Sequence, residues 1–137
     1  MIKTASKANL FFLELIIMLL ILSLSMAVCT QVFFAAQKTA DHSRDLSNAV
    51  ARVQSAAACY KEAGGDLAQT ARFMSVAGGT GELNVFYDRK WQLLATDQGA
   101  YRLRISEEAQ YAVISMVRLE DQETIYYIKV KAVAYEQ

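Results

Sequence analysis

Residues Leu10–Ala36 form a nearly unbroken apolar run of 27 residues whose only charged member is Glu14. About 20 such residues suffice to span a bilayer, so this run is long enough to cross and to project beyond the hydrocarbon. A carboxylate costs about 2.5–3.5 kcal/mol at the centre of a span on insertion scales, and less near the interface. Glu14 therefore asks for a compensating role. No other feature constrains the chain as strongly.

Lys3 and Lys7 precede the run. Basic residues before a first span favour an N-terminus in the cytoplasm and a C-terminal domain outside it. A secretory signal is the competing reading, with Leu10–Leu24 as its apolar region and Ser25-Met26-Ala27 as the small residues of a cleavage site. Hydrophobicity continues through Val28, Val32, Phe33 and Phe34, which a removed signal does not need. Val28 is also larger than the small residue that a lipoprotein site at Cys29 requires. The expectation is a retained single-pass span in the lipid bilayer of the cytoplasmic membrane.

The stretch Leu10-Phe11-Phe12-Leu13-Glu14-Leu15-Ile16-Ile17-Met18-Leu19-Leu20, behind a short basic leader, resembles the N-terminal signature of type IV pilins and type II secretion pseudopilins. The resemblance covers roughly residues 3–36. It implies a leader over residues 1–9, cut by a prepilin peptidase on the cytoplasmic side between Asn9 and Leu10. Leu10 would then be the methylated mature N-terminus and Glu14 the fifth mature residue. The chain departs from the family at Asn9, where Gly or sometimes Ala is usual, and at Gln31, where Pro is frequent. A cut after Ala8 would make Glu14 the sixth residue.

In such a family the acid has an electrostatic purpose. A new α-amino group at Leu10 is a cation among apolar helices, and a neighbour's Glu14 carboxylate compensates it, so both desolvation costs fall when the pair forms. The resemblance thus implies a structural subunit, a minor pilin or pseudopilin, of a type IV pilus, a type II secretion pseudopilus or a competence pilus for DNA uptake. Implied partners are other pilin or pseudopilin subunits, the prepilin peptidase and a polytopic membrane platform protein, with an assembly ATPase acting indirectly. The implied location is the membrane first and the cell surface after assembly. The other reading is an uncut single-pass protein whose external domain binds a ligand or an envelope protein.

Residues 37–137 are enough for one small core. Neither Pro nor Gly occurs between Leu10 and Ala63, and Leu46, Val50, Val53, Ala57 and Tyr60 fall at helical spacing. This predicts a helix over 37–63 continuous with the span, ended by Gly64-Gly65. Asp66, with Gln69 three residues on, predicts the capped start of a short helix over 67–74. Ala77–Gly81 reads as a loop.

The remainder reads as sheet over 82–135. Leu83, Val85 and Tyr87 alternate with Asn84 and Phe86, and Asp88-Arg89 marks a turn before Trp91–Leu94. Tyr101, Leu103 and Ile105 alternate with Arg102, Arg104 and Ser106; Tyr111–Leu119 and Thr124–Tyr135 complete the set. Short links favour an antiparallel meander of about four strands. The predicted class is α+β, a long N-terminal helix packed on a C-terminal antiparallel sheet, because each supplies the apolar face the other must bury. The pilin resemblance implies the same architecture. The turn Tyr87-Asp88-Arg89-Lys90-Trp91 also resembles small pilin-like proteins of Gram-positive bacteria.

Nothing in the composition points to chemistry. Fourteen basic and fourteen acidic residues, interspersed, leave no basic face for nucleic acid. Cys29 and Cys59, 30 positions apart, lie about 45 Å apart on one helix and do not bridge within a subunit. Cys59 reads as a helix-packing residue. His42 would lie about 25 Å from Cys59 on the same helix, too far for a nucleophile pair. Glu120, Asp121 and Glu123 read as a solvated hairpin turn, and so do Glu107 and Glu108. Gly78-Gly79-Thr80-Gly81 lacks the Lys of a phosphate loop. Tyr111, Tyr126, Tyr127 and Tyr135 suit sheet packing or a subunit contact. No enzyme, metal site or cofactor is expected.

Overall fold

With no Gly or Pro before Gly64, nothing interrupts helical hydrogen bonding, and helix α1 runs over Ile2–Glu62. The computed structural model describes residues 2–79 and 81–131, with the backbone alone for residues 2–5. The helix thus begins ahead of the apolar run rather than at Leu10. It stops where expected: Gly64 and Gly65 take φ of 64° and 87°, and the Gly65 N–H donates to the Tyr60 carbonyl at 3.0 Å. Asp66 then caps α2 (Leu67–Phe73), its Oδ1 accepting from the Ala68 N–H at 2.9 Å. The reciprocal bond anticipated from Gln69 is not made, because the Asp66 N–H donates to the Ala63 carbonyl.

The chain divides into two compact units at His42/Ser43. In the first, every described side chain from Ser6 to His42 is exposed. In the second, the remainder of α1 packs on a five-stranded antiparallel sheet in an α+β arrangement. The strands are β1 (Glu82–Tyr87), β2 (Leu93–Leu94), β3 (Tyr101–Glu108), β4 (Tyr111–Arg118) and β5 (Glu123–Lys131). The anticipated end of the last strand, residues 132–135, lies outside the described residues, as does Thr80.

Alternation places Leu83, Val85, Leu103, Ile105, Ala112, Ile114, Met116 and Val130 on the core face. The helix meets them through Ala49, Val53, Ala56, Ala57 and Tyr60. That arc is rotated from the anticipated one: Leu46 is exposed and Val50 half-buried, while Ala49 and Ala56 are fully buried. Small residues let the backbone approach the sheet closely, so Ala49 and Ala56 join Val53, Ala57 and Tyr60 at the core while Leu46 stays outside it. A β-bulge at Met116/Val117 leaves Ile125 of β5 unpaired and shifts the register beyond it.

The order β2-β1-β3-β4-β5 is not the simple meander predicted from the short links. Two residues of β2 pair with Phe86 and Tyr87 as a hairpin, after which the chain crosses the end of β1 to its other edge. The crossing is close. A Cβ at Gly99 would stand 2.7 Å from the Tyr87 carbonyl oxygen, and the same oxygen accepts the Ala100 N–H at 2.9 Å. Only glycine fits beneath that bond.

Candidate functional site

Among the described residues, one helix is long and apolar enough to cross a membrane, and its most apolar window is wholly exposed. Leu10, Phe11, Phe12, Leu13 and the aliphatic residues that follow each present roughly half or more of their surface. Such a surface, apolar all round, is suited to lipid or to other helices, not to water. The hydroxyls within it are already satisfied. Ser23, Ser25, Thr30 and Thr39 each donate to the carbonyl four residues back at 2.8–3.0 Å, as side chains in lipid must.

Glu14 differs. Among the described residues none of the ion pairs includes it. With 3.6 residues per turn, Lys7, Leu10, Glu14, Ile17 and Ile21 share one face, where they line a shallow groove. The Asn9–Leu10 peptide bond lies inside α1, and both side chains are exposed. The structure therefore places the three residues singled out from the sequence within two turns of one helix, with Leu10 and Glu14 on a common face.

The second unit holds a cluster that sequence reasoning missed. Trp91 is buried and stacked on Tyr101, ring centroids 4.0 Å apart at 17°. Its φ is 61°, a left-handed conformation rare for a bulky residue. Four hydrogen bonds hold the turn there. Asp88 Oδ1 accepts the Lys90 and Gln92 N–H groups at 2.9 and 2.8 Å, and the Asp88 carbonyl accepts the Trp91 N–H at 3.0 Å. Arg52 of α1 donates to the Trp91 carbonyl at 3.0 Å, its guanidinium carbon 5.2 Å from the Tyr87 ring centroid.

Beside Tyr101, Arg118 binds Asp45 of α1 at 3.3 Å, Asp121 at 3.1 Å and Glu123 at 3.3 Å. Asp121 and Glu123 are therefore paired, not merely solvated as the turn composition suggested. The Glu123 backbone N–H, and after it the Arg118 guanidinium, hold the Asp121 carboxyl below its usual range. Burial, followed by donation to Asp45, pushes the Tyr101 hydroxyl up to about 12. At the other end of the sheet, burial and Glu107 raise the Tyr60 hydroxyl.

The Tyr101 shift fixes a sign. Its neutral form is favoured in the folded state, so the unfolded chain releases the proton first, near pH 10.0, and stability falls from there up to about pH 12. Denaturant midpoints of the detergent-solubilised chain should decline between pH 10 and 12, and Tyr101→Phe should make that decline shallower without abolishing it, because the Tyr60 and Tyr87 hydroxyls are raised by burial as well.

The remaining candidates are placed simply. His42 is exposed; Cys29 is exposed, Cys59 half-buried, and both are free thiols. Tyr126 packs on the core, whereas Tyr111 and Tyr127 are exposed; Tyr135 lies outside the described residues. No group of three or more His, Cys, Asp or Glu among the described residues is placed to hold a metal ion. These contacts fasten helix to sheet and give no nucleophile–base arrangement, which leaves the exposed apolar helix with Glu14 as the candidate site. No protein-family model, curated protein or solved structure matches this chain.

Proposed function

We propose that this chain is a pilin-like structural subunit, a minor pilin or pseudopilin, built into a type IV pilus, a type II secretion pseudopilus or a DNA-uptake pilus. It is held in the cytoplasmic membrane before assembly, N-terminus inside and sheet domain outside, and reaches the cell surface by stacking with other pilins. One observation carries the reading: a carboxylate, Glu14, unpaired among the described residues, on an exposed apolar helix and one turn from Leu10 on the same face. Cleavage at Asn9–Leu10 by a prepilin peptidase creates the amine that this acid is positioned to meet on a neighbouring copy. The amine and carboxylate then neutralise each other inside the helical bundle, and no buried charge is left over. Each added subunit must bring its N-terminus to the depth of an adjoining Glu14, which sets the axial register. Export from the membrane is driven by the platform protein and its ATPase; the sheet domain stays outside throughout.

Intact-mass and N-terminal analysis of the protein, extracted from membranes that also contain a prepilin peptidase, tests this. The expected product begins at Leu10 and carries one N-methyl group. A product that retains residues 2–9 in the presence of an active peptidase overturns the reading in favour of an uncut single-pass protein.

A further inference from the structure

The face that carries Glu14 has a property that does not depend on cleavage. From Lys7 onward its residues recur with a seven-residue period: Leu10, Ile17 and Leu24 in one row, Lys7, Glu14, Ile21 and Val28 in the row beside it. These are the two core rows of a parallel helix pair, and sliding one helix by one heptad leaves each row facing its own kind. In register, such a pair would set Lys7 against Lys7 and Glu14 against Glu14. Displaced by seven residues, about 10.5 Å along the axis, Lys7 of one copy comes level with Glu14 of the other. The sliding helix still fills the membrane. The apolar run has 27 residues and a crossing needs about 20, so the surplus is about seven, the same as the offset.

We propose that two copies of this chain, each with its leader in place, associate in parallel through this face with a seven-residue stagger, Lys7 of one paired with Glu14 of the other. The displaced copy then carries its carboxylate out to the headgroup level, where the Lys7 ammonium meets it. A third copy displaced once more would retain only about 13 residues in the hydrocarbon, too few to span it, so the association ends at a pair. The charge complementarity of one face and the surplus length of the run are separate observations, and both select the same offset. Because Lys7 is lost with the leader, this pair belongs to the unprocessed protein; it goes beyond the pilin reading and does not rest on it.

Disulfide mapping in a bacterial membrane lacking a prepilin peptidase tests the proposal. Full-length chains carrying Cys29→Ala and Cys59→Ala receive either Ile21→Cys or Val28→Cys, with different tags, and are co-expressed and oxidised. The stagger is expected to give the mixed Ile21→Cys/Val28→Cys dimer in clear excess over both like-with-like dimers. Lys7→Glu should lower the mixed product about tenfold or more, and Lys7→Glu with Glu14→Lys in the same chain should restore it. Extraction with membranes after alkaline washing checks that each variant is inserted. Like-with-like dimers in excess, no cross-linking of inserted chains, or a Lys7→Glu variant that cross-links as well as its parent each overturns the stagger. Failure here leaves the cleavage result above untouched, and the reverse also holds.

Discussion

Replacing Trp91 by Ala is expected to destabilise the sheet domain by about 3–5 kcal/mol, the range for deleting a large buried aromatic side chain. The indole fills the space between Tyr87 and Tyr101 and holds the stacked contact with Tyr101. Alanine would empty that space and still have to adopt φ near 61°, where any Cβ is crowded. The Arg52–Trp91 carbonyl bond would then secure a turn with no side chain beneath it. Trp91→Phe restores part of the packing and should recover part of the loss. Circular dichroism during denaturant unfolding of the detergent-solubilised chain measures both. A Trp91→Ala midpoint equal to the parent's would show that the stack contributes little to stability.

Glu14→Leu is expected to leave membrane insertion intact or improved while cutting incorporation into filaments about tenfold or more. Insertion improves because a carboxylate is removed from an apolar span, a change worth up to about 2.5–3.5 kcal/mol at mid-span. Incorporation falls because the neighbour's buried amine is left without a counter-charge, the costly half of breaking a buried pair. Glu14→Gln separates charge from shape: it keeps the length and hydrogen-bonding groups and should still fail. Quantifying the protein in sheared surface filaments against the membrane fraction reads the effect. Equal incorporation of parent and Glu14→Leu would remove the assembly role from this residue.

These two residues differ in how visible they were beforehand. Glu14 stood out from composition alone, as one charge among 27 residues, and its environment follows from its immediate neighbours. The stop at Gly64-Gly65, the Asp66 cap and the alternation of Tyr101, Leu103 and Ile105 were legible for the same reason, since each depends on contacts within a few positions. Trp91, Arg52 and Arg118 were not. Arg52 meets Trp91 across 39 residues and Arg118 meets Asp45 across 73, and no local period encodes such a pairing. The face of α1 was legible in part: Val53, Ala57 and Tyr60 meet the core as their spacing indicates, but hydrophobicity also favours Leu46 and Val50, whereas close helix–sheet approach favours Ala49 and Ala56. Strand order was misjudged because β2 is only two residues long and the crossing at Gly99 depends on space rather than polarity.

In the proposed filament the Glu14 carboxylate of one subunit lies against the Leu10 α-amine of another. Zero-length carbodiimide coupling of filaments, assembled from subunits blocked by methylation to no more than one methyl group, tests it if half the subunits carry heavy nitrogen. Mass spectrometry then distinguishes an amide joining two chains from one formed within a chain. The expected product is a Leu10–Glu14 cross-linked peptide containing one light and one heavy partner. Cross-links found only between identically labelled partners, or a Leu10 amine that never couples to Glu14, would contradict it.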